Sequence, residues 1–256
     1  MSHLLSNKPP SLFWTLVEGR AIFEFNSFYA LRPLKRFLPK GDGHPVLVLP
    51  GFMATDTSTK PLRRLLDDIG YRSYPWGLGR NKVFNEKRET EMGELLKGIY
   101  DNSGGHKVSI VGWSLGGAFA RELSKIFPQY IRCVITLGSP ISGNKKHSNA
   151  HHLFERINGK PSAQEQERYD TMRDSPPVPC TSIYSKTDGI VAWQGSLQFD
   201  SPTTENIRVP ASHLGLGFNP VVMYAIADRL AQDVDNWQKF DLKGARKLFF
   251  SQTMLV

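Results

Sequence analysis

One serine in this chain stands between two glycines, in the pattern Gly112-x-Ser114-x-Gly116. A serine hydroxyl is a weak nucleophile until a neighbouring base takes its proton. A tight turn between a strand and a helix would lift the hydroxyl above a sheet edge and aim the helix N-terminus at developing negative charge. The flanking glycines leave room for such a strained turn. The pattern therefore indicates nucleophilic chemistry at Ser114.

The residues on either side of the pattern make it more specific. The five-residue pattern alone is weak, because chance gives it in roughly one chain in ten of this length. Val108–Val111, just before it, is a short apolar run typical of a buried parallel strand. After it, apolar residues recur at helical spacing at Leu115, Phe119, Leu123 and Ile126. This context favours a catalytic turn over a glycine-rich turn without chemistry.

Two other residues are placed to assist this serine. Asp188 follows the predicted strand Thr181–Tyr184, and His213 follows the predicted strand Asn206–Val209. Because the carboxyl ends of parallel strands meet at one edge of a sheet, we expect these side chains to lie near Ser114. The expected roles are nucleophile for Ser114, base for His213 and orienting acid for Asp188.

Other interpretations exist for the acid and for the histidines. Asp-Gly is a common turn pair, so Asp188 also fits an ordinary turn, and Asp200 is a rival acid further from a strand end. His147 and His151 are four residues apart and fit metal binding from one helix face, but no third-ligand motif accompanies them. We therefore expect a site with no metal and no cofactor.

The elements around these candidates alternate between short β-branched runs and longer helical patterns, which indicates parallel strands joined by crossover helices. The predicted strands are Pro45–Leu49, Arg72–Tyr74, Val108–Val111, Ile131–Leu137, Thr181–Tyr184 and Asn206–Val209. The predicted helices are Thr59–Ile69, Asn85–Tyr100, Leu115–Ile126 and Pro220–Asp235. The expected fold class is α/β, with a mostly parallel central sheet and helices on both of its faces.

The chain divides into a core with three additions. A long polar stretch interrupts the strand–helix alternation, and such an excursion in a compact domain usually carries function or helices of its own. We expect it to form a small helical cap over the site. The predicted regions are an N-terminal helical segment packed on the core (1–40), the core itself (41–141 and 180–240), the cap insertion (142–179) and a C-terminal extension (241–256).

The N-terminal segment is unusually aromatic. Residues 10–38 contain seven aromatic side chains, with Arg32, Lys35 and Arg36 near their C-terminal end. This composition fits a helix packed on the sheet. Because aromatic and basic residues also suit the surface of a bilayer, a packed helix that in addition contacts membrane or lipid is the alternative.

Five segments carry a resemblance to a known family: PVLVLPGF (45–52), VGWSLGGAFARELS (111–124), ITLGSPISG (135–143), YSKTDGIVAW (184–193) and SHLGLGFNP (212–220). Through them the chain resembles the α/β-hydrolase superfamily, and within it bacterial lipase- and esterase-like serine hydrolases of the broad group that includes GPI inositol-deacylase-like proteins. The segments occur in the family's order over most of residues 40–235. The resemblance implies the α/β-hydrolase fold and the catalytic class but no particular substrate.

Acyl transfer also needs hydrogen-bond donors for the oxyanion. The backbone N–H of Leu115, directly after the nucleophile, is one. By resemblance the second is the N–H of Phe52, although proline stands at position 50 where many lipases have histidine. Since the donor is backbone, this departure leaves the expectation intact. Met53, Trp76 and Trp113 are candidates for the substrate pocket, although the tryptophans equally suit ordinary packing under a loop.

Composition limits the remaining possibilities. The 256 residues suit one α/β domain, and no apolar run approaches the length of a transmembrane helix. No signal-peptide pattern is seen, and two cysteines, Cys133 and Cys180, fit reduced core thiols, so we expect a cytoplasmic protein. The net charge is +8, but the basic residues are spread along the chain and mixed with acids, which disfavours nucleic-acid binding.

These features predict a carboxylic-ester hydrolase, esterase- or lipase-like, that acts on a small-molecule or lipid acyl ester through an acyl-enzyme. An acyltransferase or thioesterase would use the same triad, so the sequence leaves both open. A binding protein that keeps the fold without catalysis is the alternative from another class. The presence of all three triad residues disfavours it.

Overall fold

A single seven-stranded sheet forms the centre of the computed structural model, which describes residues 8–83, 85–159, 162–233 and 235–255. The strands are β1 (Pro45–Leu49), β2 (Arg72–Pro75), β3 (Val108–Trp113), β4 (Ile131–Leu137), β5 (Cys180–Tyr184), β6 (Thr204–Arg208) and β7 (Ser251–Gln252). Their spatial order is β2-β1-β3-β4-β5-β6-β7, and all neighbours are parallel except β6 and β7. The predicted mostly parallel sheet is therefore confirmed.

Eight α-helices accompany the sheet in the described part of the chain. They are α1 (Leu12–Leu16), α2 (Ala21–Ala30), α3 (Asp56–Asp68), α4 (Glu86–Asn102), α5 (Leu115–Ile126), α6 (His151–Asn158), α7 (Ala163–Asp170) and α8 (Pro220–Leu230). Helices α6 and α7 form the predicted cap between β4 and β5. Residues 1–7, 160–161 and 256, which belong to the predicted N-terminal, cap and C-terminal regions, lie outside the described residues.

Strand β1 shows how the sheet is covered. Val46 and Val48 pack with apolar residues of α3 and α8, whereas Leu47 and Leu49 pack with apolar residues of α4 and α5. Successive side chains of a strand point to opposite faces, so helices lie on both faces of the sheet, as predicted. This two-sided burial explains why β1 is a continuous apolar run rather than an alternating one.

The last helix begins where it was predicted but ends earlier. The Asn219 side chain accepts a hydrogen bond from the N–H of Val221 at 2.9 Å, and Pro220 occupies the first helical position. The helix ends at Leu230 rather than at Asp235. The two residues Ala231 and Asp233 are exposed, so the apolar face that holds the helix on the core has ended by then.

The C-terminal residues are integrated into the sheet. Residues 241–256, predicted as an extension, contribute β7, which pairs antiparallel with the edge strand β6. Phe250 and Leu255 are buried. A strand of two residues is too short to show an alternating pattern, so the sequence contained no signal for it.

The two cysteines lie in the core. Cys133 on β4 and Cys180 at the start of β5 are both buried and free. Burial raises the pKa of each thiol above its ordinary value, which keeps it protonated and unreactive.

The N-terminal helices pack beside the carboxyl end of the sheet. Phe28 of α2 joins the core cluster, and Phe25 lies edge-on against Phe218, with 5.2 Å between the ring centroids. A single-turn 3-10 helix, Val17–Arg20, links α1 to α2. Of all helices in the described ranges, none has the length and hydropathy that a membrane-spanning segment requires.

Candidate active site

Ser114 occupies a strained turn between β3 and α5. Its φ is 54° and its ψ is −122°, in a region that residues other than glycine rarely adopt. A Cβ on Gly112 would overlap the backbone of Gly116 and Gly117, so the close crossing of strand and helix requires glycine at position 112. The N-terminus of α5 starts at the next residue, which places the helix dipole beside the serine.

Asp188 and His213 come together at the carboxyl ends of β5 and β6. Asp188 Oδ2 lies 2.7 Å from His213 Nδ1, and both side chains are buried. The other carboxylate oxygen accepts hydrogen bonds from the N–H groups of Ile190 at 2.8 Å and Val191 at 2.7 Å. Gly138 at the end of β4 borders the pair, since a Cβ there would lie 2.9 Å from Asp188 Oδ2. The acid is thus fixed on one side and turned toward the imidazole on the other.

The surroundings of His213 favour its charged form. Burial alone would lower the pKa of the imidazole, but the charge of Asp188, its hydrogen bond and the charge of Glu18 outweigh burial and raise the pKa above its ordinary value. A raised pKa makes the imidazole a stronger base toward a hydroxyl proton. It also means that a larger share of the imidazole is protonated near neutral pH.

Trp113, the residue before the serine, connects the nucleophile turn to the loop that carries His213. We call this loop, residues 209–219 between β6 and α8, the histidine loop. The Trp113 indole N–H donates to the carbonyl oxygen of His213 at 3.1 Å, and the ring packs against Phe218 with 6.4 Å between centroids. No hydrogen bond joins Ser114 Oγ to His213 within the described residues. Catalytic hydrogen bonds are often long in ligand-free sites and tighten when substrate binds.

Two backbone donors flank the serine. Phe52, after β1, and Leu115, the first residue of α5, line the same cleft as Ser114. In the described part of the chain, no protein group accepts a hydrogen bond from the N–H of either residue. Unpaired N–H groups beside a nucleophile are suited to hold a developing oxyanion.

The turn that carries Phe52 is held by a buried asparagine that the sequence did not single out. The Asn81 side-chain NH₂ donates to the Pro50 carbonyl at 2.7 Å, and the Asn81 backbone carbonyl accepts from the N–H of Met53 at 2.7 Å. Met53 has a φ of 60°, which is uncommon for a residue with a side chain. Asn81 thus fixes the donor loop from a position about thirty residues away, and no local motif marks such a contact.

A cleft lies beside Ser114 under the cap. Its empty volume is about 1190 Å³, which includes space open to solvent. Apolar residues of the core and of the cap share its wall, among them Phe52, Leu115, Phe119, Phe154 and Met172. Phe52 and Phe154 meet across it, with 5.5 Å between their ring centroids. Such a wall suits an apolar acyl group.

The three pocket candidates predicted from sequence do not line this cleft. Trp76 is fully buried in the core, where its indole N–H donates to the Gly79 carbonyl at 2.8 Å. Trp113 supports the histidine loop, and Met53 forms the turn after Phe52. All three therefore act through packing or backbone geometry, and the cap supplies wall residues in their place.

Asp200, the alternative acid, and the two histidines considered as metal ligands each have other partners. Asp200 pairs with Lys239 at 2.7 Å, away from His213. His147 Nδ1 lies 2.8 Å from Ser142 Oγ and is buried, whereas His151 lies 3.1 Å from Glu155 on α6. Over the ranges that the structure describes, no group of three or more His, Cys, Asp or Glu side chains is arranged to hold a metal ion.

Comparison with known proteins agrees with this architecture. A family model described as "alpha/beta hydrolase fold" matches residues 45–174. Aspergillus fumigatus lipase B is similar in structure with a TM-score of 0.58 and 19% identity, covering 75% of this chain and 53% of its own. This chain thus spans about half the length of that lipase.

The solved structure reported for LipS and LipT, two metagenome-derived lipolytic enzymes, has a TM-score of 0.55 and 13% identity, covering 75% of this chain and 93% of its own. No curated protein matches significantly. At these identities the solved structures show the fold alone.

Proposed function

This chain belongs to the α/β-hydrolase fold family, and on that premise we propose that it is a serine hydrolase that cleaves carboxylic esters through an acyl-enzyme intermediate. Family membership supports hydrolase activity in general. The finer assignment rests on one observation, the hydrogen bond between Asp188 and His213 beyond the carboxyl ends of β5 and β6, the ends at which β3 also leads into the Ser114 turn.

The first half of the proposed reaction forms the acyl-enzyme. Ser114 Oγ attacks the ester carbonyl carbon while His213 Nε2 takes the hydroxyl proton, and Asp188 stabilises the imidazolium that results. The N–H groups of Phe52 and Leu115 hold the negative oxygen of the tetrahedral intermediate. The intermediate then collapses, and the departing alkoxide takes the proton from His213. The alcohol leaves, and the acyl group stays on the serine.

The second half of the reaction returns the free enzyme. A water molecule attacks the acyl carbonyl while His213 takes one of its protons, and the same two N–H groups hold the oxyanion. Collapse breaks the bond to Ser114, which recovers its proton from His213 as the carboxylic acid leaves. The two halves together consume one ester and one water molecule and release one alcohol and one carboxylic acid.

The cleft favours an ester with an apolar acyl group. Its core side is formed by Leu115 and Phe119, and its cap side by Phe154 and Met172. Burial of a methylene group on such a wall stabilises a complex by about 0.8 kcal/mol. We therefore propose small-molecule or lipid acyl esters as the substrate class.

A panel of p-nitrophenyl esters from acetyl to palmitoyl, with acyl-CoA thioesters in parallel, tests the proposed reaction. We expect oxygen esters to be hydrolysed in water, with kcat/KM increasing from acetyl to medium acyl chains because apolar side chains form much of the cleft wall. Hydrolysis confined to acyl-CoA would identify a thioesterase instead. Transfer to an added alcohol in preference to water would identify an acyltransferase. No turnover of any ester would support a binding protein.

We further propose that the N-terminal segment contacts an anionic lipid surface. Large apolar side chains of α1 and α2 are exposed, with Leu16 at 73% and Phe23 at 74%. The exposed Arg36 lies over the Phe37 ring with its guanidinium 4.8 Å from the centroid, and the chain carries a net charge of +8. Apolar side chains together with basic residues suit the boundary between lipid headgroups and acyl chains. Helix α1 also approaches the start of the cap, since Asn149 donates to Thr15 at 3.0 Å.

Sedimentation with lipid vesicles tests this contact. We expect binding to phosphatidylcholine vesicles that contain phosphatidylglycerol, weaker binding to phosphatidylcholine alone, and about tenfold weaker binding for Leu16→Ser or Phe23→Ser. Leu248→Ser is the matched control, because Leu248 is 79% exposed but lies outside the segment. Equal binding of all variants would contradict the proposal. So would self-association in solution that Phe23→Ser abolishes, because a second copy would then cover this face.

A further inference from the structure

The geometry points to Glu18 as a positioning residue that holds the Asp188 loop and the His213 loop in register from the N-terminal segment. This inference rests on the proposed function, because the two loops carry the proposed acid and base. It concerns a residue outside the resemblance to the family, in the 3-10 turn Val17–Arg20 between α1 and α2.

Glu18 bridges the two catalytic loops directly. Its carboxylate accepts hydrogen bonds from the N–H groups of Gly189 at 2.8 Å, His213 at 2.9 Å and Leu214 at 2.9 Å. Gly189 follows Asp188 in the chain, and the other two donors belong to the histidine loop. One side chain therefore fixes the backbone next to the acid and the backbone of the base itself.

Burial makes these contacts strong and hard to replace. Glu18 is only 4% exposed, and within the described residues no lysine or arginine pairs with it. A buried carboxylate without a cation is unfavourable unless hydrogen bonds compensate it, and bonds to charged groups are about twice as strong as neutral ones. The three backbone donors supply that compensation. The negative charge stays close to His213, where it stabilises the imidazolium that forms during the reaction.

Neighbouring residues of the segment reinforce the same two loops. Glu24 accepts hydrogen bonds from the N–H of Ser212 at 2.8 Å and from the Asn219 side chain at 3.0 Å. Arg20 donates to the carbonyl of Thr187 at 2.6 Å and lies 3.8 Å from Glu24. Unlike Glu18, Glu24 therefore has a cationic partner that partly neutralises its charge.

The charged groups that face His213 set the expected pH dependence. Asp188 and Glu18 both raise the pKa of the imidazole against the effect of burial, and the Arg20–Glu24 pair flanks the loop. Because the base works in its neutral form, kcat/KM should rise with pH and level off above the raised pKa. The negative charge of Glu18 is one cause of the raised His213 pKa. Removing it should lower this pKa, so the midpoint of the pH profile should move to lower pH.

Glu18→Gln and Glu18→Ala test the inference, with Glu91→Gln as the matched control, because Glu91 on α4 pairs with Arg88 at 3.0 Å and, among the described residues, contacts neither loop. Glutamine keeps one acceptor oxygen, so we expect kcat for a p-nitrophenyl ester to fall about tenfold in Glu18→Gln and about a hundredfold in Glu18→Ala, with KM nearly unchanged. The pH midpoint should fall in both Glu18 variants and stay near that of the wild type in Glu91→Gln. Circular dichroism and thermal unfolding check that each variant is folded.

NMR titration of the His213 ring separates this inference from the proposed reaction, because it needs no turnover. A lower His213 pKa in Glu18→Gln than in the wild type supports the positioning role even if the wild type hydrolyses no ester, in which case the proposed function alone fails. A folded Glu18→Gln variant with wild-type kcat and wild-type His213 titration would overturn the inference. Lower kcat with an unchanged midpoint would also overturn it, since Glu18 would then have a structural role only.

Discussion

Replacing Ser114 with alanine should lower kcat for ester hydrolysis by about 10⁴-fold or more, since the reaction then has no atom to accept the acyl group. Binding of substrate in the cleft should remain, because alanine leaves the apolar side chains of its wall unchanged. A p-nitrophenyl ester assay with purified protein measures the loss. A variant that retains more than a few per cent of the wild-type rate would show that another residue is the nucleophile.

The fold of this variant should be unaffected. Alanine keeps the Cβ, so the strained backbone at φ 54° is neither relieved nor worsened. Ser114 is partly exposed, and within the described residues its hydroxyl makes no hydrogen bond that alanine would remove. The thermal unfolding midpoint should therefore stay within about 3 °C of the wild type, which separates loss of chemistry from loss of structure.

Asp188→Asn should lower kcat by about 10⁴-fold near neutral pH while KM changes little. The N–H groups of Ile190 and Val191 select the carbonyl oxygen of the new amide, which leaves its NH₂ group facing His213 Nδ1. The imidazole must then accept at Nδ1 and carry its proton on Nε2, where the base has to be free. Steady-state kinetics measures the effect.

The matched control for this variant is Asp200→Asn. Asp200 is the other acid considered for the triad, but it pairs with the partly exposed Lys239 instead. Removal of such a pair changes stability by about 1 kcal/mol or less, and we expect wild-type turnover. A large loss of kcat in Asp200→Asn together with an active Asp188→Asn would show that the acid has been assigned to the wrong residue.

Much of the fold could be predicted because the signals are local. The run Pro45–Leu49 is apolar throughout, which is typical of a strand buried on both faces, and the structure confirms it as β1. The start of α8 could be predicted from Asn219-Pro220, an N-cap residue followed by proline at the first helical position. The pairing of β7 with β6 was not, because two residues carry no periodicity and their pairing depends on contacts across the whole chain.

In the candidate site too, some residues have a local sequence signal and others do not. Ser114, Asp188 and His213 could be proposed because each follows a recognisable strand, and the ends of parallel strands meet at one edge. The contact of Glu18 with His213 joins residues 195 positions apart and has no local signature. The tryptophans illustrate the reverse case, since an aromatic residue in a loop fits a pocket wall and a core equally well until its surroundings are known.

Reaction with a fluorophosphonate, followed by intact-protein and peptide mass spectrometry, tests the nucleophile most directly. An activated serine displaces fluoride from the probe and becomes phosphonylated, without requiring the natural substrate. We predict a single adduct on Ser114 in the wild type, slower labelling of Asp188→Asn, and no adduct on Ser114→Ala. An unlabelled wild type, or equal labelling of Ser114→Ala at another residue, would contradict the proposed triad.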